Sequence, residues 1–339
     1  AAAPVESTET AAAVDFLSCM VSDAGGFDDK SFNQLGFEGI TEAATEIGVE
    51  AITVESASDS DYAPNIQNLV DQGCNLIVTV GFALSAATLE AAAANPDVEF
   101  ALIDDAADGD FDGTVDFPNT KPIVFNTAQA AFLVGYAAAS YSKSGIVATW
   151  GGLPFPTVSI FSDGFAQGVA YYNEQNAKAV TVLGWDAANP DAYAVTGGFE
   201  ANDVAKTTAQ NFIDQGADVL LPVGGPIYQS ALAAITDSGK DVALLGVDAD
   251  LFETDPNTQD VILTSILKGI KTATYDVVIA AAGGDFSNAP YIGTLENEGV
   301  GYAPFHNFES KVATDLAGKL EEIKAAIIAG DIPVASYLG

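Results

Sequence analysis

The stretch "QNLVDQGCNLIVTVG", Gln67 to Gly81, returns without a gap as "QNFIDQGADVLLPVG", Gln210 to Gly224. Gln, Asn, Asp, Gln, Gly, Val and Gly are identical in place. Each copy reads as the end of a helix, a glycine that stops it, a buried strand and an exit glycine. Any α/β unit shows part of this pattern, but these identities lie in separate halves of the chain. They therefore favour two lobes of the same design.

Apolar strand patterns alternate with amphipathic helix patterns along most of the chain. The strand patterns include "VDFLSCMVS", "NLIVTVG", "EFALIDD", "GIVATWG", "DVLLPVGG" and "VALLGVDAD". Continuous apolar strands between such helices are typical of a parallel sheet covered on both faces. We therefore predict an α/β fold with two doubly wound parallel-sheet lobes. Ligands of such sheets bind at the carboxyl ends of the strands, so the predicted site is a cleft between the lobes that closes by a hinge.

The composition disfavours several classes of partner. The 339 residues include 47 Asp and Glu against 11 basic residues, all of them Lys, and the net charge is −36. Such a charge repels phosphates, so no nucleic acid partner is predicted. The lack of Arg removes the usual bidentate clamp for carboxylates and phosphates, which disfavours a strongly anionic ligand.

One strand-to-helix turn, "DAGGFDDKSFNQLGFEGI" from Asp23 to Ile40, is rich in polar and aromatic groups. The strand ends near Asp23, and Ser31 with Gln34 forms an S-x-x-Q capping box at the predicted helix start. Phe32 either projects into the cleft mouth or begins the buried stripe of the helix, and spacing alone favours neither. The turn lacks the glycine spacing of dinucleotide and P-loop sites, so nucleotide hydrolysis is unsupported.

Further candidates follow other predicted strands. Asp248 lies just past a buried strand, and Lys268 falls on a predicted helical pattern; together they either grip sugar hydroxyls or form an ordinary ion pair. Trp185 follows a strand of the second lobe, where it could face Phe32 across the cleft and stack on a flat ring. Asp104 is the last residue of "EFALID". Its carboxylate either accepts hydrogen bonds from an amine or amide edge of that ring, or it is a solvated loop acid.

No catalytic or metal-binding set is predicted. His306 is the one histidine, and it is not near a Cys or a pair of acids in the sequence at the spacing of a catalytic or metal-binding set. The acid-rich "DAADGDFDG" is a weak calcium signal, since it lacks the twelve-residue loop that ends in Glu. Cys19 and Cys74 could form a disulfide. If their strands are parallel neighbours, however, they lie at different heights, beyond the ~7 Å limit for Cα atoms, which favours two buried thiols.

The turn at Asp23–Ile40 resembles the opening signature of the basic-membrane-protein family, the purine-nucleoside receptor lipoproteins of ABC importers. The resemblance continues through "NPDVEFALIDD", "GGLPFPTVSIFSDGFAQG", "QGADVLLPVGG" and "LTSILKGI", and runs from Val14 to the C-terminus. It implies a type I periplasmic-binding fold that delivers a nucleoside to a membrane permease. It also implies an extracytoplasmic location, at the periplasm or cell surface, with a lipid anchor in the precursor.

The resemblance also implies residue roles. Asp23, Phe32 and Asn33 would line the first lobe's side and Asp104 would address the base. Trp185 would be the second stacking aromatic, and Asp248 and Lys268 would hold the ribose, with Asp250 competing for the role of Asp248. The predicted ligand-binding set is Asp23, Phe32, Asn33, Asp104, Trp185, Gly224, Asp248 and Lys268.

The resulting expectation is a monomeric, non-enzymatic binding protein without a cofactor. Its alternatives are a binding protein for another neutral polar ligand, such as a sugar, and a sensory ligand-binding domain. Residues 1–13 are predicted to be a flexible leader. The first lobe is predicted to comprise 14–125 and about 251–290, and the second lobe 126–250 and about 291–339.

Overall fold

The computed structural model describes residues 16–338, so the predicted leader lies outside the described residues. Two six-stranded sheets form the frame. The first has the order β11-β5-β4-β3-β1-β2, from β1 (Ser18–Val21), β2 (Ile52–Val54), β3 (Leu76–Val80), β4 (Glu99–Ile103), β5 (Thr120–Phe125) and β11 (Tyr291–Gly293). The second has the order β12-β10-β9-β8-β6-β7, from β6 (Ile146–Gly151), β7 (Thr181–Leu183), β8 (Val219–Val223), β9 (Ala243–Asp248), β10 (Ile262–Lys268) and β12 (Val300–Tyr302).

The predicted α/β fold of two mostly parallel, doubly wound lobes is confirmed. The described strand pairings are parallel except for that of β12 with β10, which is antiparallel. The two copies of the sequence repeat end in β3 and β8, which are buried throughout. Both strands lie in the interior of their sheets, at matching places in the two strand orders.

Helices cover the faces of both sheets. The helices of the first lobe are α1 (Phe32–Ile47), α2 (Tyr62–Asp71), α3 (Ser85–Ala94) and α9 (Ile270–Ala282). Those of the second lobe are α4 (Thr127–Tyr141), α5 (Pro156–Asn176), α6 (Asp203–Asp214), α7 (Ile227–Ser238), α8 (Leu251–Thr254) and α10 (Leu316–Ile328). Within the described chain, no helix is long and apolar enough to cross a membrane.

The chain crosses between the lobes after β5, after β10 and again between β11 and β12. The predicted lobe boundaries are therefore wrong in two places. The range 251–290 is divided, because β10 pairs with β9 of the second sheet whereas α9 packs on α1 of the first lobe. In addition, β11 lies beyond residue 290 but pairs with β5 of the first sheet.

Cys19 and Cys74 form a disulfide, with Cα atoms 6.0 Å apart, so the expectation of two buried thiols is wrong. That expectation assumed that Cys74 lies at a different height from Cys19 along a pair of parallel strands. In the structure Cys74 belongs to the turn ahead of β3, and its N–H donates to the carbonyl of Leu69. The turn places Cys74 close enough to Cys19 of β1 for the two sulfur atoms to bond.

Candidate ligand-binding cleft

A cleft separates the carboxyl ends of the two sheets. Its walls come from the residues that follow β1, β3 and β4 in the first lobe and from the ends of β8, β9 and β10 in the second. The cavity volume is about 50 Å³, within about 560 Å³ of empty space that includes the solvent at the mouth. The cleft lies between the lobes at the carboxyl ends of the strands, as predicted, and the two lobes lie close together across it.

The polar wall of the first lobe is a hydrogen-bonded cluster of Asp23, Asn33 and Asp29. The Asn33 amide donates to Asp23 Oδ1 at 2.7 Å and to Asp29 Oδ2 at 3.0 Å, and it accepts from the Asp23 N–H at 3.2 Å. Burial raises the pKa of Asp23 to about 6, against the lowering effect of bonds from Gly25 and Asn33. A carboxyl group so placed can present either an acceptor or a proton to a ligand near neutral pH.

Asp29 caps the first helix of this wall, and the predicted Ser31–Gln34 capping box is wrong. The Asp29 carboxylate accepts from the N–H groups of Ser31 at 2.9 Å, Asn33 at 2.8 Å and Gln34 at 3.1 Å. A carboxylate at a helix N-terminus satisfies several free N–H groups and also complements the helix dipole. The Gln34 side chain donates instead to Glu38, one turn further along α1.

Two predicted carboxylates and the predicted lysine meet in the cleft. Lys268 Nζ lies 2.6 Å from Asp104 Oδ2 and 3.5 Å from Asp248 Oδ1, and the lysine is only 5% exposed. Lys268 is the last residue of β10, so its predicted helical position is wrong. The apolar neighbours of Lys268 mark a buried strand, which periodicity over so short a run does not distinguish from a helix.

Opposing effects set the protonation of this group. Burial raises the pKa of Asp104 and raises that of Asp248 to about 6, while Lys268 lowers both. Burial also disfavours the charged form of Lys268, but Asp104 and Asp248 outweigh it and its pKa is raised. Lys268 therefore remains charged, and it neutralises part of the negative charge of the cleft.

Asp104 and Asp248 occupy equivalent positions in the two lobes. Asp104 directly follows β4 and Asp248 is the last residue of β9, and their φ angles of 63° and 66° lie in the left-handed region. Non-glycine residues with positive φ are uncommon and cluster at functional sites. Asp250, the predicted competitor of Asp248, accepts from the Phe252 N–H and pairs with His306 at 2.8 Å, beside the cleft rather than in it.

The exit glycines of the sequence repeat make room for one aromatic ring in each lobe. A Cβ on Gly81 would lie 3.4 Å from the Phe32 ring, and a Cβ on Gly224 would lie 2.4 Å from the Phe199 ring. Both rings line the cleft. The structure therefore favours the placement of Phe32 at the mouth, and Gly224 shapes the second wall by having no side chain.

Trp185 is placed outside the cleft, contrary to the prediction. Its indole N–H donates to Asp163 at 3.1 Å, and its ring packs edge-on against Tyr193 at 5.0 Å. Phe199, fourteen positions later in the same loop, is the aromatic residue that reaches the cavity. The only signal for it was "GGF", a glycine pair before an aromatic residue in a long connection.

Two further aromatic residues of the second lobe were not singled out from the sequence. Phe155 contacts Phe82 of the first lobe, with ring centroids 5.0 Å apart, and Phe199 at 6.1 Å. Phe161 lies 4.9 Å from Lys268 Nζ, with the ring of Phe32 at 5.3 Å from the same ammonium. The walls of the cleft are therefore aromatic on both sides, and its floor is charged.

The acid-rich loop connects β4 to β5 in the first lobe and does not line the cleft. Carboxylate oxygens of Asp108, Asp110 and Asp116 lie within 4.8 Å of one another. Asp108 and Asp116 accept from N–H groups of their own loop. Proximity of exposed acids does not by itself define a metal site.

Two α/β lobes that meet over a polar and aromatic cleft define a solute-binding protein of the two-lobed type. Residues 16–333 match the family described as ABC transporter substrate-binding protein, PnrA-like. The chain belongs to this family, as the resemblance implied. Membership implies a solute ligand, a membrane permease as partner and an extracytoplasmic location, and it places the chain among binding proteins rather than enzymes.

Similar proteins extend over almost the whole chain. A CD4+ T-cell-stimulating antigen of Listeria monocytogenes is 29% identical over 340 residues, which cover 94% of this chain and 88% of the relative. The ABC transporter nucleoside-binding protein BmpA of Lactococcus lactis is 27% identical over 339 residues, which cover 95% and 90%. A crystal structure of an ABC transporter solute-binding protein from Aeropyrum pernix K1 has a TM-score of 0.82 at 23% identity, covering 95% of this chain and 93% of that one. This last similarity shows the fold.

Proposed function

We propose that this protein captures a nucleoside, with a purine base, in the interlobe cleft and delivers it to an ABC permease. The observation that carries the proposal is the pairing of aromatic walls with a charged floor. Phe32 and Phe199 come from opposite lobes, and Asp104, Asp248 and Lys268 converge between them. A flat base that carries a sugar matches both halves of this arrangement.

The aromatic walls would hold the base. Stacking on an aromatic side chain contributes roughly 1–3 kcal/mol per base in nucleic acid proteins. Asp23, Asn33 and Asp104 lie on the first lobe's side of the same cavity and offer acceptors and a donor for the polar edge of the base. The name of the Lactococcus lactis relative is consistent with such a ligand.

Asp248 and Lys268 would hold the ribose. Asp248 Oδ1 is buried and, among the described residues, has no hydrogen-bond partner. A buried acceptor that lacks a hydrogen bond costs up to roughly 1–3 kcal/mol. The ion pair with Lys268 offsets part of this cost, and a ligand hydroxyl would supply the missing hydrogen bond. The ammonium of Lys268, 3.5 Å away, could donate to the neighbouring hydroxyl.

Entry of the ligand requires opening. A cavity of about 50 Å³ is far below the ~300–1,000 Å³ of typical ligand pockets. The crossings after β5, after β10 and between β11 and β12 are the places where hinge rotation would part the lobes.

Calorimetric titration tests the proposal. Inosine, guanosine and adenosine should bind with micromolar or tighter affinity, while ribose, free bases and inositol bind more weakly. Phe32→Ala and Phe199→Ala should each weaken nucleoside binding at least tenfold. Phe111→Ala is the matched control, because this phenylalanine is 81% exposed and lies outside the cleft. Binding of sugars without binding of nucleosides would overturn the proposal.

The remaining expectations stay predictions with their own measurements. Light scattering on the purified protein tests the monomer. Recovery of unchanged nucleoside after incubation tests the absence of turnover. Metabolic labelling of the full precursor with a fatty acid tests the lipid anchor that the resemblance implies.

A further inference from the structure

Ser31 stands at the start of α1 but does not use its hydroxyl as a helix cap. Its side chain is 1% exposed, and the capping role belongs to Asp29. The Ser31 hydroxyl points instead to the second lobe. Its Oγ lies 3.0 Å from the Val247 carbonyl oxygen and 3.3 Å from Asp248 Oδ2.

This hydroxyl therefore joins the lobes at one particular carboxylate. Val247 and Asp248 are the last two residues of β9, whereas Ser31 precedes the first helix of the other lobe. Asp248 thus uses one oxygen to accept from Ser31, while Oδ1 is buried, makes no hydrogen bond among the described residues and lies 3.5 Å from Lys268 Nζ. The contact with Ser31 therefore occupies Oδ2 and leaves Oδ1 as the oxygen available to a ligand.

We propose that Ser31 is an interlobe positioning residue, whose hydroxyl orients Asp248 as the lobes close and thereby stabilises the closed, ligand-holding form. The proposal rests on the proposed function of the cleft. Ser31 is not among the residues that line the cavity, so it acts through Asp248. Its single hydrogen is shared between the Val247 carbonyl at 3.0 Å and Asp248 Oδ2 at 3.3 Å, and both contacts cross between the lobes and are lost when the lobes separate.

The consequence is a specific effect on kinetics. Interlobe bonds form after the ligand has entered an open cleft, so their loss should leave the association rate unchanged and raise the dissociation rate. We expect Ser31→Ala to weaken inosine binding about tenfold, which corresponds to about 1.4 kcal/mol.

Two variants separate positioning from a general loss of structure. Ser31→Thr keeps a hydroxyl and should restore most of the affinity. Ser162→Ala is the matched control, because Ser162 is equally buried and bonds to Thr149 and Tyr193 within the second lobe alone. It should leave the dissociation rate of inosine within twofold of the parent protein. An equal effect of Ser162→Ala and Ser31→Ala would overturn the proposal.

A double-mutant cycle tests the route through Asp248. In an Asp248→Ala background, Ser31→Ala should add less than a further threefold loss of affinity, because the carboxylate it orients is gone. Full additivity of the two changes would overturn the positioning role.

A measurement without ligand keeps this inference distinct from the proposed function. Dyes on cysteines introduced at Glu90 of α3 and Glu174 of α5, both exposed, report the distance between the lobes. Ser31→Ala should shift the ligand-free population towards the longer distance, and Ser31→Thr should not. If the parent protein bound no nucleoside, the proposed function would fail while this shift would still support Ser31. An unchanged distance distribution in Ser31→Ala would overturn the inference, whatever the ligand.

Discussion

The ammonium of Lys268, at the end of β10 in the second lobe, lies 2.6 Å from Oδ2 of Asp104, which follows β4 in the first lobe. Both side chains are buried, so this ion pair connects the lobes through the middle of the cleft. The residues proposed to hold the ligand thus hold one another in the closed form. A ligand that enters has to replace these contacts with its own.

Loss of the lysine should destabilise the protein. Lys268→Met leaves Asp104 and Asp248 buried without their cation, and breaking a buried pair on one side costs about 3–5 kcal/mol. Urea unfolding at neutral pH measures the change. Lys319→Met removes an exposed lysine paired with Glu322 and should change the free energy of unfolding by less than about 1 kcal/mol. Equal effects of the two substitutions would contradict the buried pair.

Stability should fall as pH rises through the weakly acidic range. The pKa values of Asp23 and Asp248 are raised by burial from 3.8 to about 6, so the folded protein retains protons that the unfolded chain has released. The free energy of unfolding then decreases with rising pH between about 4 and 6, by about 1.4 kcal/mol for each unit of pKa difference at each group. Urea midpoints across this range measure the slope.

Asp23→Asn isolates one of these contributions, because the amide does not titrate. The variant should show a shallower decrease of stability between about pH 4 and 6 than the parent protein. Asp28→Asn, at an exposed carboxylate paired with Lys30, is the comparison on the same turn. If Asp23→Asn left the slope unaltered, its raised pKa would be refuted.

Added salt should stabilise the fold. With 47 acids against 11 lysines, repulsion between carboxylates outweighs attraction between exposed pairs. The screening length falls from about 30 Å at 0.01 M salt to about 3 Å at 1 M, so the thermal midpoint should rise over this range of KCl. Glucose at matched osmolality does not screen charge and should have a smaller effect. A midpoint independent of KCl would contradict the dominance of repulsion.

The disulfide should stabilise the folded protein without affecting nucleoside affinity. It closes a loop with a sequence separation of 55, for which chain entropy alone gives about 4 kcal/mol. The double substitution Cys19→Ala with Cys74→Ala should lower the free energy of unfolding by up to this amount. Nucleoside affinity should not change, because Cys74 precedes β3 and the cleft lies beyond its other end. A large loss of affinity would place the bridge in the closure mechanism instead.

The sequence repeat was sufficient to predict two matching lobes, because buried parallel strands and glycine stops are local features. Asp104 and Asp248 were found for the same reason, since each sits where an apolar strand ends. Hydrophobic periodicity predicts strands, but it does not predict where the residues of a long loop lie. Trp185 was therefore placed in the cleft in error, whereas Phe199 of the same loop was missed.

Two other errors came from features that depend on contacts distant in sequence. The Ser31–Gln34 capping box has the correct spacing, but Asp29 caps the helix and the Ser31 hydroxyl donates to the other lobe. The Cys19–Cys74 bridge depends on a turn that spacing alone does not define. In both cases the local pattern was compatible with more than one partner.

The path of the chain has a consequence for how this protein is made. The first sheet receives its edge strand β11 only at residues 291–293, after the strands of the second sheet from β6 to β10 have been synthesised. During synthesis, the first sheet therefore cannot be completed before the strands of the second sheet up to β10 have been made. Neither lobe is one uninterrupted segment of the chain, so completion of the two lobes is linked through the crossings after β5, after β10 and between β11 and β12.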